Sequence, residues 1–305
     1  MFSSRNGAAR LSLIVVIALI VFKVVVASIT GSISILAQAV DSFLDLFAVV
    51  ATFFAVQIAV KPADEEHPFG HGKVENIAAV GQALLIFVAA GLIIYSAVQR
   101  IMAGATVELT EAGIGAMVVS IVASVFLSRH LLKVSRELDS AALQANAHNI
   151  AADVYSAAAV LVGLLIVRLS GGRLSILDPI IAILVALYIL RVAYTVLRSS
   201  FTQLIDVKLP EAEESIIKSC IKEHETEVVD FHKLRTRKAG NQRYIDLHVV
   251  IPKDTSIEEA HKLCDCIERD IETRLKNASI TIHVEPCTDE CKQCAVTCDL
   301  PKKST

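Results

Sequence analysis

Residues 34–60 read SILAQAVDSFLDLFAVVATFFAVQIAV. The run is long and apolar enough to cross a bilayer, which takes roughly 20 residues, yet it contains Asp41 and Asp45. Their spacing of four puts both carboxylates on one helical face, about one turn apart. A carboxylate at mid-membrane costs roughly 3 kcal/mol on insertion scales, so it faces the bundle interior and has a partner. A second apolar run carries His148-Asn-Ile-Ala-Ala-Asp153, with Asn149 and Asp153 again four apart. Three acids and an amide on two helices can satisfy one another only around a cation. Polar contact between helices, or caps at a membrane edge, is the plainer alternative.

Outward from these two runs, further spans are predicted near 11–30, 76–102, 111–134 and 176–200, with the two acidic ones at 34–60 and 141–168. Of the 305 residues 54% are hydrophobic and the mean hydropathy is +0.57, but almost all of that surplus precedes Phe201. The last hundred residues read as an ordinary charged domain. The expected fold is therefore an all-α six-helix transmembrane domain over 1–206 and a small α+β cytosolic domain over 207–286. A Cys-rich tail over 287–305 follows. The apolar run after Arg10 continues past Ala27 into another helix, which a cleaved signal peptide does not do. Arg5, Arg10, Lys61, Lys73, Lys133 and Arg136 fall on the amino-terminal side, against Arg100, Arg168 and Arg173 opposite. That bias makes the amino-terminal side cytoplasmic. An even helix count brings the carboxyl terminus there too. A net charge of −3 gives no reason to expect nucleic acid.

In the second domain a helix is expected over Pro210–His224, with acids in its first turn. Strands over Val229–Arg237 and Gln242–Ile251 form a hairpin about Ala-Gly-Asn. Ser256 caps a helix to Leu275 with Glu259 completing a capping box, and Ser279–Val284 is the last strand. The order is αββαβ. His283 and Glu285, two apart on a strand, share a face, with His232 and His248 on the other strands and His261 on the second helix.

The residue types and spacings resemble the cation diffusion facilitators. The likeness lies in Asp41-x-x-x-Asp45, in Pro62-Ala-Asp-Glu-Glu-His-Pro-Phe-Gly-His-Gly-Lys-Val-Glu75 and in the polar-x-x-x-Asp153 pair. It continues through Leu204-Ile-Asp206 before Leu209-Pro210 and through His232-Lys-Leu-Arg-Thr-Arg237. It covers about residues 10–286 and is nearest to bacterial zinc and ferrous-iron exporters, homodimeric proton antiporters that alternate between inward- and outward-facing states. The resemblance implies a transport site at Asp41, Asp45, Asn149 and Asp153, with His148 as a neighbour. A π-bulge would exchange the roles of Asn149 and His148. Zinc members usually have His where this chain has Asn149, and oxygen ligands suit harder ions, so manganese or iron joins zinc among the expected metals.

The resemblance also implies a loop metal site at Asp64, His67 and His71, against the reading of a solvated polar loop. It implies a cytosolic binuclear site of His232, His248, His261, His283 and Glu285, with Asp in a relative at the place of Glu285. Lys73 and Asp206 match a charge pair that holds the dimer. The tail thiols Cys287, Cys291, Cys294 and Cys298 lie on one stripe if helical, and in a reducing cytosol they are candidate metal ligands. Cys220, Cys264 and Cys266 are expected to pack in the domain.

The function expected is efflux of a divalent metal in exchange for protons, in a bacterial or archaeal plasma membrane. The carboxylates must lose their protons to bind metal, which couples the two. The chain has no nucleotide-binding loop, and no catalytic cofactor or enzymatic reaction is expected. The alternatives are a membrane-anchored metal sensor, which has no use for acids inside its helices, and an intramembrane metalloenzyme, for which the sequence names no general base.

Overall fold

The computed structural model describes residues 4–30, 33–103, 111–169 and 176–287, with side chains except at 30, 33–41, 43–44, 103, 111–113, 163–169 and 178. The chain divides after Leu204 into two compact units. Among the described residues the first holds six helices: α1 (Arg5–Thr30), α2 (Ile33–Ala59), α3 (Lys73–Ala103), α4 (Glu111–Leu138), α5 (Ala141–Leu169) and α6 (Leu177–Leu204). Among the described residues four of them contain stretches long and apolar enough to cross a membrane: Arg5–Ile29, Lys73–Met102, Ile114–Leu138 and Pro179–Leu204. The described apolar stretch of α2, Asp45–Ala59, is shorter. The polar residues of α5 (Asn146, His148, Asn149, Asp153) interrupt its apolar run.

The helices run several residues beyond the apolar stretches. α1 begins at Arg5 rather than Leu11, α3 at Lys73 rather than Asn76, and α4 ends at Leu138 rather than Val134. Hydropathy marks hydrocarbon, whereas the backbone ladder continues into the polar layer for as long as side chains there find partners.

α1, α2, α4 and α5 share a core of Val16, Val49, Val56, Leu131, Leu143 and Ile150. α3 and α6 meet through Ile86 and Ala90 against Ala186, Ile189 and Ala193. Alanine at such contacts lets backbones approach, the main source of helix association where lipid is as apolar as the side chains. Ile14, Phe54, Val88, Phe126 and Leu184 point outward. That arrangement is costly in water and neutral in lipid.

One end of this unit is tied by a single carboxylate. Glu75, fully buried at the start of α3, accepts from Arg5 Nη1 at 3.1 Å and from Ser140 Oγ at 2.5 Å. The N–H groups of Ala141 and Ala142, at the start of α5, are near enough to favour its ionised form. The same arginine donates through Nη2 to the Leu138 carbonyl at 2.5 Å, where α4 ends. One acid thus caps α5 from outside the helix and fixes the starts of α1 and α3 beside the α4–α5 turn. Asp139, at φ 54, makes that turn tight.

The second unit contains α7 (Glu211–Lys222), β1 (Asp230–Ala239), β2 (Gln242–Ile251), α8 (Ile257–Arg274) and β3 (Ala278–Pro286). α7 has Glu211, Glu213 and Glu214 in its first turn, where they complement the helix dipole. Ser256 caps α8 with its side chain, and Glu259 returns to the Ser256 backbone N–H, completing the capping box. β1 and β2 are antiparallel, joined through Gly240 at φ +62, the first-position glycine that a tight hairpin turn favours. β3 runs parallel to β2, reached across α8. The sheet order is β1-β2-β3. Ile245, Leu247, Val249 and Ile251 of β2 point to one face and are buried with Ile217, Ile221, Leu263, Ile267 and Ile271 of the helices. The alternate residues Tyr244, Asp246, His248 and Val250 occupy the other face.

Glu75→Ala is expected to destabilise the full chain by about 3–5 kcal/mol, the usual cost of stranding one member of a buried ion pair. Thermal unfolding in detergent, compared with Arg5→Ala and the double variant, reads it. The double variant should lose clearly less than the sum, and a loss below about 1 kcal/mol for Glu75→Ala would show that the pair bears no load.

Candidate metal centres

The outer face of the sheet carries a row of histidines. His232 of β1 is the cross-strand partner of His248 of β2, and His248 is the partner of His283 of β3. Glu285 follows two residues later, on the face of His283. The carboxylate bridges the row: Oε1 lies 2.7 Å from His248 Nδ1 and 3.8 Å from His283 Nε2, and Oε2 lies 3.3 Å from His232 Nε2. Ligating atoms of His232, His248 and Glu285 all fall within 4.8 Å of one another. The His248 and His283 rings stand 4.6 Å apart.

His232 reaches this face because β1 is bulged. Arg235 and Arg237 pair with the outward Asp246 and Tyr244, so strict alternation would turn His232 into the core. The register instead shifts between His232 and Arg235, with Lys233 at φ 52. Phe231 and Leu234, three apart, both pack on the core, and the extra residue between them reverses the alternation. Its Nζ lies 4.0 Å from Glu285 Oε1.

His261 does not join this group within the chain. It sits on α8, the helix packed on the opposite face of the sheet, with its side chain 76% exposed and 3.8 Å from Asp265. Among the cysteines, Cys220 is fully buried and Cys264 partly so, whereas Cys266 is exposed and packs in no core. It lies outside the buried stripe of α8, which runs through Leu263, Ile267 and Ile271. Cys287 is buried and donates its N–H to the Ile251 carbonyl at 2.8 Å. Cys291, Cys294 and Cys298 lie outside the described residues.

A second group occupies the loop between α2 and α3. Asp64 Oδ1 accepts the His67 N–H at 2.7 Å and lies 3.2 Å from His67 Nδ1, and Oδ2 lies 3.4 Å from His71 Nε2. Gly70 donates to the His67 carbonyl at 2.8 Å, closing a turn with Pro68 second and Gly70 last, both favoured there. That reversal returns His71 to Asp64. The hydrogen bond from the His67 backbone, helped by its ring and the nearby histidines and opposed by burial, holds the Asp64 carboxyl below its ordinary range. His71 Nδ1 is buried without a hydrogen-bond partner.

Within the helices, α2 and α5 are in contact. Asp45 is partly buried, Asn149 is 7% exposed and Asp153 is exposed in this single chain. The Asn149 Nδ2 is buried without a hydrogen-bond partner. α5 is regular α-helix through 148–153, so Asn149 and Asp153 share a face and half-buried His148 is turned from it. The Asp41 side chain lies outside the described ones. Lys23 of α1, which the sequence reading passed over, donates to Ser42 Oγ at 2.6 Å, beside Asp41 in sequence. A lysine inside an apolar run was the available signal. Lys73 Nζ donates to the Leu204 carbonyl at 3.4 Å, and Asp206 lies 3.6 Å from Arg237. These two belong to different units.

Residues 9–205 match the family model for a cation efflux transmembrane domain, and residues 209–287 that for the cytoplasmic domain of cation efflux proteins. The chain belongs to the cation efflux family, the cation diffusion facilitators. It is 34% identical over 262 residues to an uncharacterized transporter of Synechocystis sp., covering 86% of this chain and 84% of that one. It is 31% identical over 271 residues to the cation-efflux pump FieF of Salmonella paratyphi A, covering 89% of each. A solved chain of CzrB in its Zn form is 38% identical over 27% of this chain and 92% of its own, with a TM-score of 0.26. The family consists of transporters, not enzymes, and this facilitator is a multi-pass integral membrane protein.

The hydrogen bond with His248, reinforced by His232 and Lys233 and opposed by burial, holds the Glu285 carboxyl below its ordinary value of 4.5. A depressed pKa stabilises the fold fully above that ordinary value and loses its contribution as pH falls through the lowered one. Glu285→Gln should therefore flatten the acid limb of stability below about pH 4.5, measured on the full chain in chelator. Coincident limbs for wild type and variant would mean the carboxylate is not held by the histidine row.

Proposed function

We propose that this facilitator exports a divalent transition metal from the cytosol in exchange for protons, by alternating exposure of a site between α2 and α5. The site is Asp41, Asp45, Asn149 and Asp153. The observation that carries the reading is the buried amide of Asn149. One end of it has no protein partner, on a helix in contact with α2 and one turn before Asp153. A buried amide end left unpaired is costly, and a half-turn of the group presents its oxygen instead. Carboxylate and amide oxygens with no imidazole suit Mn²⁺ or Fe²⁺ at least as well as Zn²⁺.

The carboxylates bind metal only when deprotonated, so binding metal expels protons and taking up protons expels metal. A proton gradient then drives efflux without a nucleotide. In this reading α2 and α5 complete a set of six spans, both termini lie in the cytosol of a bacterial or archaeal cell, and two copies form a homodimer. Asp64, His67 and His71 form a site at the membrane face. His232, His248, His283 and Glu285 hold structural or regulatory metal, since three imidazole nitrogens and an ionised carboxylate match the donor set of zinc-like ions. There the metal would supply a cross-strand link among β1, β2 and β3. The outer-face histidines and Lys233 set its charge and orientation.

In proteoliposomes with an imposed proton gradient, Asp153→Ala should reduce metal flux by at least about tenfold, the least that even outer-shell partners of a metal are worth. Wild-type flux from that variant would remove Asp153 from the site. Asn149→His, assayed with Mn²⁺, Fe²⁺, Zn²⁺ and Cd²⁺ in competition, should shift preference toward Zn²⁺. An unchanged order would exclude Asn149 as a ligand.

A further inference from the structure

The outward face of α4 changes character along its length. Val118, Val119, Val122 and Phe126 are exposed, Phe126 by 72%. The same stripe continues through Arg129, Lys133 and Arg136, all exposed. At 100° per residue, positions 122, 126, 129, 133 and 136 fall within about 80° of arc, so the apolar and basic parts form one continuous surface. Arg129 and Arg136 are about 10 Å apart along the axis, comparable with the polar layer on one side of a bilayer.

Arg129, Leu132, Lys133, Arg136 and Glu137 line an open groove of about 420 Å³. Lys133 lies 3.9 Å from Glu137, both exposed to solvent, a pairing worth little. Arg129 and Arg136 make no ion pair among the described residues. α5 sets His148 near Arg136 and Tyr155 near Arg129, and neither brings a negative charge. Among the residues that line the groove, three cations against one carboxylate leave a surplus of two positive charges. This end of α4 lies beside Arg5, whose guanidinium holds the Leu138 carbonyl. It is therefore the amino-terminal side of the unit, which the basic bias makes cytosolic.

We propose that the basic end of α4 is a docking site for an acidic phospholipid of the cytosolic leaflet, its phosphate in the Arg129–Lys133–Arg136 groove and its chains along Val122 and Phe126. Charge complementarity selects an anion, and the contiguous apolar stripe selects a lipid over free phosphate, which has no use for Phe126. The inference rests on the proposed topology, with α4 spanning the membrane and its Arg136 end cytosolic, and is independent of the transport chemistry. A net positive charge near an anionic surface is worth roughly five- to sixfold in binding. Two of them predict about a 30-fold preference for acidic over zwitterionic lipid.

The test is native mass spectrometry of the full-length chain equilibrated with equal phosphatidylglycerol and phosphatidylcholine. Wild type should retain phosphatidylglycerol by about 30-fold, on the same estimate. Arg129→Gln/Lys133→Gln/Arg136→Gln should lose the preference for phosphatidylglycerol, while Arg129→Lys/Arg136→Lys keeps the preference and Glu137→Gln strengthens it. Millimolar inorganic phosphate should not displace the lipid. Equal retention by wild type, preference surviving in the triple glutamine variant, or displacement by phosphate alone would each overturn the proposal. If the triple variant fails to fold, the Glu137→Gln arm decides: a preference that stays flat or falls counts against the site.

Discussion

A charge near hydrocarbon is stable only when something answers it, and this chain is organised by where its answers lie. Glu75 is answered inside the protein, by Arg5, Ser140 and the first N–H groups of α5. That contact fixes the ends of four helices relative to one another, and α5 hangs from it with Asn149 about two turns further on. In the proposed function the acids of α2 and α5 belong to the same logic with a different answer, an ion that arrives from outside and leaves again. At the rim of α4 the sign reverses. Three cations stand against one carboxylate, and the anion that matches them belongs to the membrane.

The second unit repeats the theme on the outer face of its sheet, where geometry matters more. A carboxylate at Glu285 is gripped by a row of histidines drawn from three strands. The row exists because two independent devices converge. Parallel pairing of β3 with β2 brings His283 level with His248, and the bulge at Lys233 turns His232 outward to join them. Removing the bulge would aim His232 at Val249 and the helix-packed core. The opposite face, filled by Ile245, Leu247 and Val249, gives the row a rigid backing.

Much of this was legible in the sequence. The apolar runs located the helices, the capping box at Ser256–Glu259 located the start of α8, and spacing of four put Asn149 and Asp153 on one face. What periodicity could not give were contacts between distant parts of the chain. Glu75 looked like the end of a loop motif, and its grip on Arg5 spans 70 residues. The bulge was visible only as apolar Phe231 and Leu234 at a spacing of three within a strand, which alternation rules discard. His261 was grouped with the row by resemblance, yet α8 lies across the sheet from it. Cys266 was expected to pack, but the face of α8 that it occupies is the solvent one. The starts of α1 and α3 ran past the hydropathy boundaries, where Arg5 and Glu75 hold each other.

The central claim is that an ion sits between α2 and α5, held by oxygen ligands. Anomalous diffraction from crystals of the full chain grown with Mn²⁺, compared with Asp45→Asn crystals, tests it most directly. A peak touching Asp45, Asn149 and Asp153 in wild type, absent in the variant, is the predicted result. Anomalous signal confined to the loop and the sheet, with α2 and α5 closed on each other and no ion between them, would contradict it.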